Sequence, residues 1–336
     1  MDESGKRRKR NKSDGAETLR QRASALMAAV IIMLALLFTS SFPRELNETI
    51  ASVMRPGELP AVFLTAEPAD TDDPSLFIRL ADVDDDVDPE ILVRLVEAAS
   101  QGTGVELTGD EPRVLIYHTH NTEAYRPTAG YEYAASGLYR TEDDDRNVIA
   151  VGEELCRILN EEYGIKAIHA TEQHEKPLIT TAYSRSFRTA LKYKLLYPSL
   201  ELFIDLHRDG VAETGYEDDF VIVDGLECAR MMFVVGTGSS GKSSEADPGG
   251  GSREEAAMPD FETNYALAAG LTKELLSYNE RFMRNIRVKS GKYNQQVGPK
   301  CLLVEVGHNG NTLEQAMNSV KYLAKAIAEL TETADN

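Results

Sequence analysis

Val114-Leu-Ile-Tyr-His-Thr-His-Asn-Thr-Glu123 begins with an apolar run and ends in polar residues that include two histidines and a carboxylate. This order is typical of a strand in an α/β sheet, whose carboxyl end is where such sheets place their sites. Leu202-Phe-Ile-Asp-Leu-His-Arg-Asp-Gly210 has a similar pattern, and a histidine follows its apolar run. Because parallel strands end at one edge of the sheet, we expect the two polar ends to lie close together.

Short apolar runs alternate with longer amphipathic segments from residue 113 onward, which predicts an α/β fold. We expect a single, mostly parallel sheet flanked by helices. The predicted strands are 114–117, 165–168, 202–206, 220–223, 231–235 and 302–306. The predicted helices are 147–163, 179–197, 261–278 and 313–329.

The N-terminus predicts a membrane anchor. Residues 1–22 are basic, and residues 23–42 contain no charged residue. About 20 apolar residues cross the hydrocarbon core as a helix, and basic flanks stay on the cytoplasmic side. We therefore predict a cytoplasmic tail (1–22), a transmembrane anchor (23–42) and a single-pass cell-membrane protein whose main domain is extracytoplasmic. A cleaved signal peptide is the alternative, although residues 39–43 offer no clear small-x-small cleavage site.

Two regions of different composition follow the anchor. Residues 43–111 are acidic and contain prolines, which predicts a solvated linker with one short helix that starts near Asp88 and Pro89. Residues 112–332 carry the α/β pattern and form the predicted main domain. The chain has a formal net charge of −19, which argues against nucleic acid as a partner.

The histidines and carboxylates at the strand ends predict a zinc site. None of the three cysteines belongs to a Cys-x-x-Cys pair, so a metal must find imidazole or carboxylate ligands. Two histidines and a glutamate are a hydrolytic ligand set for zinc, which leaves a position for water. We therefore predict Zn²⁺ bound by His120, Glu123 and His207. His118 is an alternative to His120, and a carboxylate among residues 143–145 is an alternative to Glu123.

A base that activates water is predicted at Glu305. Cys301-Leu-Leu-Val-Glu-Val-Gly307 places this carboxylate in an apolar run, where burial raises its pKa toward the range of a general base. A strand-end glutamate in a salt bridge or facing solvent is the alternative. We also expect Asp205 to support the metal ligands, and His169 and His174 are candidates to line the cleft.

Several segments between residues 113 and 330 resemble the stage II sporulation protein P family of endospore-forming bacteria. They are Ile116-Tyr-His-Thr-His-Asn-Thr-Glu-Ala-Tyr125, Asn147-Val-Ile-Ala-Val-Gly152, Phe203-Ile-Asp-Leu-His-Arg-Asp-Gly210, Tyr293-Asn-Gln295, and Leu303-Val-Glu-Val-Gly307 with Asn311-Thr-Leu-Glu314. Family members tend to carry Asn-Pro and Trp before the helix that is predicted at 261–278, whereas this chain contains no Trp. This departure bears on substrate fit rather than on the metal.

The resemblance implies a zinc-dependent N-acetylmuramoyl-L-alanine amidase that degrades septal peptidoglycan during engulfment, with endopeptidase activity also attributed to the family. It implies two partners, the lytic transglycosylase stage II sporulation protein D and the membrane protein stage II sporulation protein M. The fold is then expected to be similar to zinc amidases and carboxypeptidases. The candidate substrate contacts are His118, Arg208, Tyr293, Asn294 and Gln295. An ion pair with Asp209 is the alternative role for Arg208.

Two other functions are open at this point. The ligand pattern also suits a zinc endopeptidase or carboxypeptidase that trims stem peptides. A non-catalytic scaffold that binds the cell wall would keep the same fold without hydrolysis.

Overall fold

The structure, a computed structural model, describes residues 81–84, 87, 90–99, 104–211, 219–239, 260–298 and 300–332. The predicted tail at 1–22 and the predicted anchor at 23–42 lie outside these residues. Within the described part of the chain, none of the helices is both long enough and apolar enough to span a membrane.

Seven of the strands in the described residues form one sheet. In chain order the strands are β1 (Ala81–Val83), β2 (Val114–Tyr117), β3 (Ala135–Gly137), β4 (Arg140–Thr141), β5 (Ala167–His169), β6 (Leu202–Asp209), β7 (Phe220–Val223), β8 (Leu226–Ala229), β9 (Met231–Gly236), β10 (Ile286–Lys289) and β11 (Cys301–His308). The sheet order is β1-β10-β9-β11-β6-β2-β5, in which β9 and β11 are antiparallel and the other neighbours are parallel. The prediction of a mostly parallel sheet is confirmed, and β3–β4 and β7–β8 form separate hairpins.

Helices cover both faces of this sheet. In the described residues they are α1 (Glu90–Ala99), α2 (Val148–Glu161), α3 (Ala182–Leu196), α4 (Phe261–Tyr278) and α5 (Leu313–Glu332). The larger core joins the sheet to α1, α2, α4 and α5, and it includes Ile116 of β2. The smaller core joins Leu115 of the same strand to Ala190 of α3. Consecutive side chains of a strand point to opposite faces, so β2 is apolar throughout because both of its faces are covered.

Local signals set the ends of the predicted elements. Asn147 begins α2, since its side chain accepts a hydrogen bond from the Ile149 N–H at 2.8 Å. Gly164 has a φ of +68° shortly after the helix, a conformation that favours glycine. The six predicted strands and four predicted helices are all present, and their ends differ from the prediction by a few residues. The additional strands β1, β3, β4, β8 and β10 were not predicted.

The domain begins earlier in the chain than the sequence predicts. β1 pairs in parallel with β10 at the edge of the sheet. Leu95 of α1 is buried in the larger core, together with Val105 and Leu107. The short helix predicted near Asp88 and Pro89 is present as α1. The described residues from 81 onward pack on the domain instead of forming a solvated linker. The acidic composition of this stretch favoured a solvated linker. It contains a few apolar side chains between the charged ones, and these pack on the domain.

Candidate active site

The carboxyl ends of three neighbouring strands, β11, β6 and β2, form the candidate site. His207 of β6 lies directly opposite Glu305 of β11 in the parallel register. His120 and Glu123 follow β2, which pairs with the other edge of β6. The fold therefore brings the four residues that were predicted as metal ligands and general base to one edge of the sheet.

His207 is buried between two carboxylates. Its Nδ1 atom lies 3.3 Å from Glu123 Oε2, and its Nε2 atom lies 2.9 Å from Asp205 Oδ1. Burial lowers the pKa of His207, but Asp205 and Glu123 raise it well above its ordinary value. The contact with Asp205 lacks hydrogen-bond geometry, so Nε2 is a buried nitrogen with no hydrogen-bond partner among the described residues.

Glu123 is the carboxylate that contacts His207 from the segment after β2. Burial raises the pKa of Glu123, but the contact with His207 and the charge of Arg208 lower it below its usual value. Glu123 Oε2 also accepts a hydrogen bond from the Arg208 backbone N–H at 3.2 Å. The alternative carboxylates at 143–145 lie in and before a 3₁₀ turn that precedes α2, where they accept local hydrogen bonds. Of these carboxylates, Glu123 is the one that contacts His207.

His120 lies beside His207 and contacts Glu175, a carboxylate that was not predicted from the sequence. The two imidazole rings are 5.5 Å apart between centroids and nearly perpendicular. His120 Nδ1 lies 3.0 Å from Glu175 Oε1. Burial raises the pKa of Glu175, but hydrogen bonds from His120 and Thr122 and the charge of Arg140 bring it to about 2. Glu175 is therefore an anion at neutral pH. No motif marks it in the sequence, because it lies in a loop and meets His120 only through the fold.

Glu305 lies where its surroundings raise the pKa of its carboxyl group. The residue is partly exposed, but its Oε2 atom is enclosed and has no hydrogen-bond partner within the described residues. Burial raises the pKa of its carboxyl group, Glu123 acts in the same direction, and His207 opposes them. Gly307, two residues later, has a φ of +69°, and a Cβ there would lie 2.6 Å from Asn311 Oδ1. The strand end that carries Glu305 thus requires glycine at 307.

His118 belongs to a buried group behind the site rather than to the cleft. It has no exposed surface. Its Nδ1 atom lies 2.8 Å from the Leu206 carbonyl oxygen, and its Nε2 atom lies 2.8 Å from His169 Nε2. Burial and the neighbouring His169 lower the pKa of His118 to about 3. His174 is also buried and contacts the His118 carbonyl oxygen. Of the two histidines after β2, His120 is the one that borders His207, and a substrate contact by His118 is not supported.

Arg208 organises the segment after β2 instead of facing the cleft. Its guanidinium donates hydrogen bonds to the carbonyl oxygens of Ala124 at 2.8 Å and Tyr139 at 2.7 Å. The Asp209 carboxylate, the alternative partner, pairs with Arg284 at 2.8 Å. Arg208 is buried, so its predicted role in substrate binding is replaced by a role in holding the loop that carries Glu123.

Two further substrate candidates are also used inside the fold. Asn294 donates a hydrogen bond to Ser186 Oγ at 2.8 Å. Gln295 bonds the backbone at the end of β9 through both ends of its side-chain amide, at 2.7 and 2.8 Å. Tyr293 is the candidate that lies near the strand ends of the site, since its ring is 6.0 Å from that of Tyr183. Tyr183 in turn packs edge-on against the ring of His120, with 5.7 Å between the ring centroids.

The donor atoms suit zinc, although they do not surround a common point. Across the described residues, no group of three or more His, Cys, Asp and Glu side chains could hold a metal ion as they are placed. His120, Glu123 and His207 nevertheless offer the two imidazoles and one carboxylate that catalytic zinc takes. Glu123 and His207 are already in contact, with Glu123 Oε2 3.3 Å from His207 Nδ1. Zinc binding therefore fits the chemistry of the site and requires side-chain adjustment.

Comparison with protein families matches most of the chain. The family described as Stage II sporulation protein P (SpoIIP) matches residues 66–328. The chain belongs to the stage II sporulation protein P family. The match begins within the predicted linker, in agreement with the earlier start of the domain.

The individual relatives have low sequence identity to this chain. Stage II sporulation protein P of Bacillus subtilis (strain 168) is 29% identical over 236 residues. The alignment covers 67% of this chain and 52% of that protein, so the chain spans about half the length of this curated relative. A crystal structure of the apo form of the N-acetylmuramyl-L-alanine amidase from Mycobacterium abscessus is 10% identical, with a TM-score of 0.34 over 68% of this chain and 100% of that one. A likeness at this level carries no argument about function.

Proposed function

We propose that this protein is a zinc-dependent peptidoglycan hydrolase that cleaves the amide between N-acetylmuramic acid and the L-alanine of the stem peptide during sporulation. Family membership supports the sporulation role, because the Bacillus subtilis relative is named Stage II sporulation protein P. The geometry supports hydrolysis. His207 and Glu305 lie in register on neighbouring strands beside His120 and Glu123, and this juxtaposition carries the proposal. The choice of the amide bond comes from the resemblance of the site segments to the family.

The residues of the site have separate tasks in this reaction. Zinc held by His120, Glu123 and His207 would polarise the scissile carbonyl and lower the pKa of a water molecule. Glu305 accepts a proton from the attacking water, and the raised pKa of its carboxyl group matches this task. It then gives the proton to the amide nitrogen as the carbon–nitrogen bond breaks. The products are a lactyl carboxylate on the glycan and a stem peptide with a free L-alanine amino group.

Location and partners form the second half of the proposal. The apolar segment 23–42 would anchor the chain in the cell membrane and leave the domain extracytoplasmic at the sporulation septum. Stage II sporulation proteins D and M are the partners that the family resemblance implies. Cross-linking in sporulating cells, followed by purification of this chain, would test both partners together.

Digestion of purified peptidoglycan tests the activity. Zinc-loaded wild type should release glycan with new lactyl carboxyl groups and peptides with new L-alanine amino termini. Glu305→Gln should reduce this rate by roughly 10²–10⁴-fold, the contribution of a general base. Glu280→Gln, in the exposed turn after α4, is the matched control and should keep the wild-type rate. New amino termini within the stem peptide would show a peptidase instead, and equal wall degradation by both variants would overturn the role of Glu305.

A further inference from the structure

Glu175 commits both of its carboxylate oxygens to the segment that follows β2. Its Oε1 atom lies 3.0 Å from His120 Nδ1, and its Oε2 atom accepts a hydrogen bond from the Thr122 N–H at 3.0 Å. The Thr122 hydroxyl and the Arg140 guanidinium also donate to this carboxylate. Glu175 is only 8% exposed, so these contacts rather than solvent fix its orientation.

The contact with His120 decides which ring nitrogen carries the proton. A carboxylate offers only acceptor atoms, so the His120 nitrogen that faces it must be a donor. This nitrogen is Nδ1, and in the neutral imidazole that can bind a metal Nε2 then keeps its lone pair. Histidines that bind metals commonly donate their second N–H to a carboxylate, which orients the ring and makes the ligating nitrogen a stronger donor.

We propose that Glu175 is a positioning residue that holds His120 in the Nδ1–H tautomer and presents its Nε2 atom to the metal. This inference rests on the proposed function, in which His120 binds zinc. Arg140 extends the arrangement, because its Nη2 atom lies 3.6 Å from Glu123 Oε1 while its Nη1 atom contacts Glu175. Arg140 thus contacts both Glu175, which holds His120, and Glu123, which is itself a proposed ligand.

Zinc affinity of the full chain, measured by competition with a chromophoric chelator, tests the proposal. Glu175→Gln keeps the shape of the side chain and removes its charge, and it should weaken zinc binding roughly 10–100-fold. Glu172→Gln is the matched control, since Glu172 lies in the same loop and pairs with the exposed Lys192 at 3.2 Å. Its zinc affinity should equal that of the wild type. Equal affinities of all three proteins would overturn the positioning role and leave the proposed function intact, whereas a wild type that binds no zinc would overturn both.

A nitrogen-15 spectrum of the histidine rings gives a second measurement that does not depend on the folding of a variant. In the zinc-loaded wild type, His120 should show a protonated Nδ1 and a metal-bound Nε2. Zinc bound to His120 Nδ1 would overturn the proposal.

Discussion

Replacing Gly307 with alanine should destabilise the protein and disturb the strand end that carries Glu305. Gly307 has a φ of +69°, a left-handed conformation that costs other residues roughly 1–2 kcal/mol. An added Cβ would also lie 2.6 Å from Asn311 Oδ1 and 2.7 Å from the Ala229 Cβ. Both neighbours are buried, so overpacking should add roughly 1–3 kcal/mol. The expected loss in the free energy of unfolding is therefore roughly 2–5 kcal/mol.

Gly225 provides the control that separates backbone strain from the steric clash. Its φ is +81°, but an added Cβ would meet nothing within 4 Å. Gly225→Ala should therefore lose only the roughly 1–2 kcal/mol of the left-handed conformation. Urea unfolding of the two variants and the wild type measures the difference, and the peptidoglycan assay should show reduced hydrolysis for Gly307→Ala alone. Equal losses of stability in the two variants would refute the predicted clash at 307.

Three further predictions concern polar contacts within the domain. Arg208→Met should lower the unfolding free energy by roughly 2–4 kcal/mol, because two carbonyl oxygens lose their donor; an unchanged midpoint in denaturant would contradict this. Gln295→Ala should speed amide hydrogen exchange at the end of β9, where a backbone N–H loses its acceptor, and wild-type exchange there would count against it. Asp219→Asn should be less stable than the wild type near neutral pH and should approach it in acid. The hydrogen bond with His308 and the charge of Arg230 hold the pKa of Asp219 below its ordinary value, so its contribution is present above a pH of about 4 and is lost as the pH falls. A stability difference that is constant from pH 7 to pH 3 would exclude this linkage.

The strand ends of the site could be predicted because local sequence determines them. An apolar run identifies a buried strand, and a parallel sheet places the carboxyl ends of such strands together. His207 and Glu305 were therefore predicted as site residues from two separate apolar runs, before the strand pairing was known. In the structure they lie opposite each other on neighbouring strands. The choice of His120 over His118 needed the structure, because both follow the same strand and only the packing shows that His118 is fully enclosed.

The supports of the site could not be predicted, since burial and tertiary contacts decide them. Glu175 is a charged residue in a loop, and its value to the site comes from a contact with His120 across the fold. Arg208 and Gln295 are polar residues near the site, which in sequence suggests contact with substrate. In the structure their side chains form hydrogen bonds with buried backbone groups. The sequence does not show which backbone groups need such a partner.

The zinc content of three full-length proteins tests the central claim most directly. Wild type, His207→Ala and Glu305→Gln would be loaded with zinc, dialysed and measured by elemental mass spectrometry. We expect stoichiometric zinc in the wild type and in Glu305→Gln, and loss of zinc from His207→Ala, because His207 is a proposed ligand and Glu305 is the proposed base. Zinc retained by His207→Ala, or lost from Glu305→Gln, would contradict the assignment of the site.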